Sequence, residues 1–398
     1  MTVNATWTNP VLDIDRIIDD RRTRIVVCCG SGGVGKTTTA AALGLRAAER
    51  GRQVCVLTVD PARRLAQSMG LSSLDNTPRL VEGIDEEAGG SLHAMMLDMK
   101  RTFDEIVEAH SDPARAAQIL ANPFYQSLSS SFSGTQEYMA MEKLGQLRRS
   151  DEWDLIVVDT PPSRSALDFL DAPERLGRFL DGRLIRLLTS PVKAGRPFGR
   201  VLNAGFSMMT GAMTKVLGAQ VLRDAQTFVT AFDTMFGGFR ERAEATYKLL
   251  QAPGTSFIVV ATPEPDALRE ASYFVERLAE ERMPLAGLLL NRVHSAGSCR
   301  LSAARSQAAA ETLETISPND PVTSVSSGDY SVSAQTATAA ALRLHASRMN
   351  LGERERRVAG SFMSAHPAVP VVEVPALPED VHDLAGLRRV GESFAVQG

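Results

Sequence analysis

Residues 26–51, VVCCGSGGVGKTTTAAALGLRAAERG, join an apolar run to a glycine-rich loop and that loop to a helix-forming segment. Gly30, Gly35, Lys36 and Thr37 stand at the spacing G-x-x-x-x-G-K-[ST], with a strand-like run before them and a helix-length stretch, Thr37 to Arg50, after them. Gly51 closes that stretch at the position a helix C-terminus favours. Gly30, Gly32, Gly33 and Gly35 let backbone N–H groups approach a phosphate without a Cβ in the way, and the start of the helix adds partial positive charge. On this reading Lys36 reaches the β- and γ-phosphates and the Thr37 hydroxyl ligates Mg²⁺, while Val34 and Thr38 complete the nucleotide-binding loop.

Outward from the loop, short apolar runs recur at 24–29, 53–60, 92–99, 153–160, 256–262, 285–293 and 369–375, each reading as a strand buried on both faces. Helix-length segments separate several of them. The pattern predicts an α/β fold, a doubly wound, mostly parallel sheet. Residues 1–23 are set apart as an N-terminal segment and 24–398 as one domain. The intervals of about 100–150 and 164–250 are too long for single crossovers and show helical spacing, so they are expected to form an inserted helical subdomain. An Ala/Ser-rich excursion at about 296–340 is expected to be mobile or loosely packed, the chain returning as a helix after it.

A Mg²⁺–nucleotide site also needs a carboxylate at the end of a neighbouring strand. Asp159 ends LIVVD and Asp60 ends VLTVD, and both should open on the loop's side of the sheet. Asp159 is expected to hold the metal through water, and Asp60 to orient the attacking water or take its proton.

The totals exclude other classes. A chain of 398 residues with 44% hydrophobic residues can bury a large core, and a net charge of -4 gives no broad footprint for nucleic acid. No stretch reaches the roughly 18 apolar residues of a spanning helix, and the N-terminus has no secretion-signal pattern. The expectation is a cytoplasmic protein without a transmembrane segment. Cys28, Cys29, Cys55 and Cys299 read as plain thiols in a reducing compartment.

The ordered set of motifs resembles the dimeric ATPases of the arsenite-pump and tail-anchored-protein-targeting (guided-entry) group, relatives of the Min, Par and nitrogenase iron proteins. GSGGVGKTTT resembles their deviant P-loop, DPARRLAQ their first switch, DTPPSRSALDFL their second, and SGTQEYMAMEKL an acidic helix before the Asp159 strand. LLLNRV is similar to the segment whose asparagine reads adenine, which implies Asn291, with Arg292 beside it, and VPVVEVPALPEDVHDLAGL to the adenine-side loop, which implies Pro375. The resemblance implies ATP and Mg²⁺ as ligands and a dimer that opens and closes with the nucleotide cycle. High Ala and Arg usage suggests a bacterial branch.

In that family the residue after the first loop glycine is a lysine that crosses to the partner's phosphates, and here it is Ser31. Serine has neither the charge nor the reach for that role. The chain is expected to form a homodimer or a heterodimer, and three readings of Ser31 follow: a related partner subunit carries the lysine, which is favoured; a substitute cation among Arg63, Arg64 and Arg164; or slow hydrolysis. Arg63, Gln67, Arg164 and Ser165 also depart from the switch patterns. The insert carries Met208, Met209, Met213 and Met235, material either for a groove that takes a hydrophobic client helix of a membrane protein or for an ordinary core. An ATPase subunit energising an anion or arsenite transporter, and a non-hydrolysing scaffold, are the alternative functions.

Overall fold

The computed structural model describes residues 9–59, 64–122, 125–126, 136–161, 241–294, 301–315 and 334–395. Asp60, Arg63, Arg164, Ser165, Cys299, the four insert methionines and most of the interval 164–250 lie outside the described residues, as does the side chain of Arg64.

The apolar runs form β1 (Ile25–Cys29), β2 (Gln53–Thr58), β4 (Ser91–Met96), β5 (Leu155–Asp159), β6 (Thr255–Ala261), β7 (Leu285–Val293) and β8 (Val371–Pro375), and β3 (Arg79–Leu80) joins them. The order across the sheet is β3-β4-β2-β5-β1-β6-β7-β8, with β3 antiparallel to β4 and every other pair parallel. β1 and β5 are buried at every position, as strands covered on both faces must be. β3 has two exposed residues and no apolar pattern from which it could be read. From β1 the chain winds first towards β4, returns to β5, and then crosses to β6 on the other side. The carboxyl ends around β1 are therefore where such a sheet opens a crevice.

Alternation along β1 assigns the two core layers. Val26 and Cys28 face α1 (Ile14–Asp19), α2 (Lys36–Glu49) and α10 (Leu384–Glu392), where Ile14, Leu43, Leu387 and Phe394 are fully buried. Ile25, Val27 and Cys29 face α4 (Met99–His110), α6 (Gln136–Ser150), α7 (Pro265–Glu280) and the C-terminal part of α9 (Ala334–Ala365), with Leu144 and Phe274 fully buried. Each such large side chain contributes about 1.5–3 kcal/mol over its exposed state.

Between β4 and β5, the interval 100–150 holds α4, α5 (Pro113–Leu120) and α6. Asp98 accepts from Arg101 N at 2.9 Å and Asp112 from Arg115 N at 3.0 Å, so α4 and α5 begin at carboxylate caps, the latter with Pro113 in its first turn. Within 296–340, Ala303–Thr315 (α8) is helical, as are residues 334–340 at the start of α9, and α8 packs along α9. Residues of the N-terminal segment also join the body: Val371 N donates to Pro10 O at 2.8 Å and Leu12 N to Val371 O at 3.0 Å. Arg52, only 1% exposed, donates to the carbonyls of Ile18 (2.8 Å), Asp20 (3.2 Å), Thr23 (2.6 Å) and Asp154 (2.6 Å), tying α1 and the start of β1 to the start of β5. No helix among the described residues is long and apolar enough to cross a membrane.

Candidate functional site

The glycine-rich loop runs from the end of β1 to the start of α2. At Gly30 an added Cβ would stand 2.1 Å from the carbonyl oxygen of Val260 on β6, and at Gly35, where φ is +97°, it would stand 2.3 Å from Asn291 Nδ2. Both positions exclude a side chain on space, and Gly35 on backbone conformation as well. The loop thus lies tightly against β6 and β7. α2 starts with no side-chain cap and no acidic residue in its first turn, which leaves its N-terminal amides and partial positive charge to an anion.

Lys36, 6% exposed, donates from Nζ to the carbonyl oxygen of Ser31 at 2.8 Å. Ser31 contributes a backbone carbonyl here, which any residue supplies. Behind the loop the sheet register places Asp159 level with Cys28 on one side and Thr58 on the other. Asp159 is fully buried, and its Oδ2 accepts from Thr37 Oγ1 at 2.7 Å and from Thr58 Oγ1 at 2.9 Å. Thr160 Oγ1 donates to Cys28 O at 2.9 Å and ties the end of β5 to β1. Thr37 and Asp159, expected at the metal, therefore converge, and their oxygen donors suit Mg²⁺. Thr58 escapes a reading by motif because register, rather than sequence distance, makes it the neighbour of Asp159.

The other wall comes from β7, β8 and the loop after β8. Asn291 Nδ2 donates to Val34 O at 2.8 Å, and Arg292, with φ of +59°, donates from Nη1 to Gly33 O at 3.2 Å. Pro375 is paired with Val293 across β7 and β8. Between these walls is a cavity of about 820 Å³ that reaches Gly33, Gly35, Thr37, Thr38, Asn291, Arg292 and Pro375. That volume is within the range of about 300–1,000 Å³ usual for small-molecule sites. Gly30, Gly32, Val34, Lys36 and Asp159 do not line it. Gln67 and Ser68 of α3 (Arg64–Ser68), His294, Leu377, Val381 and His382 do; of these, Gln67 and the loop carrying Leu377, Val381 and His382 were legible through the resemblance of their segments rather than from any spacing.

The described thiols stand apart from the cavity. Cys28 faces one core layer and Cys29 and Cys55 the other. Burial pushes Cys29 and Cys55 up to about 12 and holds Cys28 well above the usual thiol range, so at neutral pH all three are protonated.

A strand, a glycine loop that seals against two further strands, an uncapped helix start and an adjoining cavity define a P-loop nucleoside-triphosphate-binding protein. The model of the anion-transporting ATPase family matches residues 23–322, and the chain belongs to that family. It is similar to the ATPase GET3 of Ajellomyces dermatitidis, 26% identical over 297 residues that cover 73% of this chain and 80% of the relative. The ATPase GET3 of Malassezia globosa is 25% identical over 280 residues, 70% of this chain and 76% of the relative, and the ATPase get3 of Pyrenophora tritici-repentis is 24% identical over 284 residues with the same coverage. The chain is an ATPase, and ATP is its nucleotide. All three relatives are fungal and give no support to the suggestion of a bacterial branch.

Proposed function

We propose that the cavity takes Mg–ATP, that the glycine loop and the start of α2 hold its phosphates, and that the nucleotide cycle opens and closes a dimer to deliver a client. The observation that carries the nucleotide reading is the convergence of Thr37, Thr58 and Asp159 on one buried oxygen behind the loop. Two hydroxyl donors on Asp159 Oδ2 fix its rotamer. When bound, Mg²⁺ supplies positive charge to the β- and γ-phosphate oxygens.

The chain's own residues do the rest. With Mg²⁺ bound, the Thr37 hydroxyl would be its ligand in place of its bond to Asp159, and Asp159 would hold the metal through water. Lys36 exchanges the Ser31 carbonyl for the phosphates, a swap within reach of one flexible side chain. Asn291 and Arg292 carry the base-side wall against the loop carbonyls of Val34 and Gly33, and Pro375 borders the base. Asp60, outside the described residues, is assigned to the attacking water. Ser31 leaves the trans contribution of the signature lysine to a related subunit, and the methionines of the insert, outside the described residues, are the material this reading offers to a client helix. The names of the relatives and of the family both favour an ATPase, and the family's name an anion-transporting one. Transport of arsenite is less favoured, because the three described thiols are protonated and divided between two core layers.

The test is the ATPase rate and assembly state of the purified chain, alone and with whatever co-purifies from its native cell. Binding of ATP with turnover that rises on adding a lysine-bearing relative supports the proposal. Lys36→Ala should abolish binding or turnover, and an unchanged ATP affinity and rate in that variant would remove the loop from the site.

A further inference from the structure

His294 follows β7 directly and lines the cavity. Its backbone N–H donates to Glu355 Oε2 at 2.8 Å, and its ring Nδ1 lies 2.7 Å from Glu355 Oε1. One carboxylate thus grips one residue at two points. Glu355 belongs to α9, 61 residues further along the chain, and is only 9% exposed. One turn earlier on the same helix, an added Cβ at Gly352 would stand 2.5 Å from the carbonyl oxygen of His294, so the helix backbone presses directly on the strand end.

The strand end held in this way is irregular. The pairing of β7 with β8 shifts register between Leu290 and Val293, and Arg292 adopts a positive φ. Both distortions fall in the short segment whose Asn291 and Arg292 side chains reach the loop carbonyls. A non-glycine residue at positive φ is strained and persists where its surroundings over-determine it. The loop fixes this segment from one end, and at the other Glu355 holds His294 next to Val293, which itself pairs with Pro375 and accepts from Ala376 N at 3.0 Å. Glu355 is also placed at a change in α9 itself. Ala359, Phe362 and Met363 beyond it are buried in the core, whereas most residues before it are exposed and α8 is their packing partner.

We propose that Glu355 is a positioning residue for the nucleotide: through His294 it holds Asn291 and Arg292 against the glycine loop, and it makes ATP affinity depend on the seating of α9. This rests on the reading of the cavity as the ATP site. The pair acts on the bound ground state and not on the reacting phosphoryl group, which it does not approach.

The experiment measures ATP dissociation constant, KM, kcat and Tm for the full chain and for Glu355→Ala, Glu355→Gln and Lys36→Ala. The expected result for Glu355→Ala is a rise of about tenfold in both the dissociation constant and KM, with kcat within about twofold and Tm close to that of the parent chain. Glu355→Gln keeps a carbonyl oxygen for the His294 N–H and should recover most of the affinity. Equal affinities in all but Lys36→Ala overturn the inference, as does a loss confined to kcat or an equal loss in the Ala and Gln variants. If Glu355→Ala does not fold, His294→Asn carries the test: weaker ATP binding by that variant is expected, and parent-like affinity in it overturns the inference. A parent chain that itself fails to bind ATP sinks the reading of the cavity instead.

Discussion

Arg52 shows how a single residue organises this chain. Burial pulls its guanidinium below the usual arginine value, yet it stays charged, and four backbone carbonyls surround it. Replacing it removes that donor from all four carbonyls, of which Asp20 O keeps the Thr23 N–H, and this costs more than the loss of one contact. Arg52→Met should destabilise the chain by about 3 kcal/mol, read as a shift in the urea or thermal midpoint, and a change within experimental error would mean that water replaces the guanidinium. At this scale the sequence is uneven as a guide. Lys36 and Thr37 are legible because a phosphate loop needs those residue types at a fixed spacing. Thr58 and His294 are not, since each owes its position to a neighbour brought in by strand register or by a distant helix.

Among the elements, α1 is bound to α2 by charge as well as by Ile14 and Ile18. Arg46 donates to both oxygens of Asp15 at 2.6 and 2.7 Å, and Arg50 grips Asp19 in the same way. The hydrogen bond from Arg46, opposed by partial burial, holds the Asp15 carboxyl below its ordinary value. A carboxylate whose folded pKa is depressed stabilises the fold fully above its unfolded value, near 4, and loses that contribution as pH falls through the folded one. Asp15→Asn should therefore lower stability by about 1 kcal/mol at pH 7 and by nothing measurable near pH 2, which paired melts at the two pH values would show. A difference that persisted in acid would assign the effect to packing. β1 and β5 were legible because burial on both faces demands continuous apolar runs, whereas β8 exposes Glu373 and Pro375 and was legible from its three buried valines. β3 was not, because an edge strand of two exposed residues carries no such demand. The full length of α9 was hidden too: its first half is Ala-rich and packs on α8, so it lacks the apolar stripe by which helices are read.

For the whole molecule the open position is Ser31. Its carbonyl holds Lys36, a contact that survives any side chain, so a lysine there is compatible with the loop as it stands. If two copies meet across their nucleotide sites, Ser31→Lys should raise the ATPase rate of the lone chain on the order of tenfold, and the gain should grow with protein concentration. A rate that stays flat would sink the account in which the missing lysine limits this chain.

The flanks of the sheet narrow the ways in which copies meet. Beside β4, Val81 N donates to Leu92 O at 2.9 Å and Met96 N to Asp75 O at 2.9 Å, so the chain from 75 to 81 screens that strand. Beside β8, the backbone of Pro10 and Leu12 occupies Val371, and Asn9 donates from its side chain to Val369 O at 3.1 Å. Among the described residues these contacts occupy Leu92 and Met96 on one margin and Val369 and Val371 on the other, which blunts both margins against pairing with a second molecule's strand. Association is left to side-chain surfaces and loops, which a ligand is able to rearrange, and reversible pairing follows from that more readily than permanent fusion of two sheets.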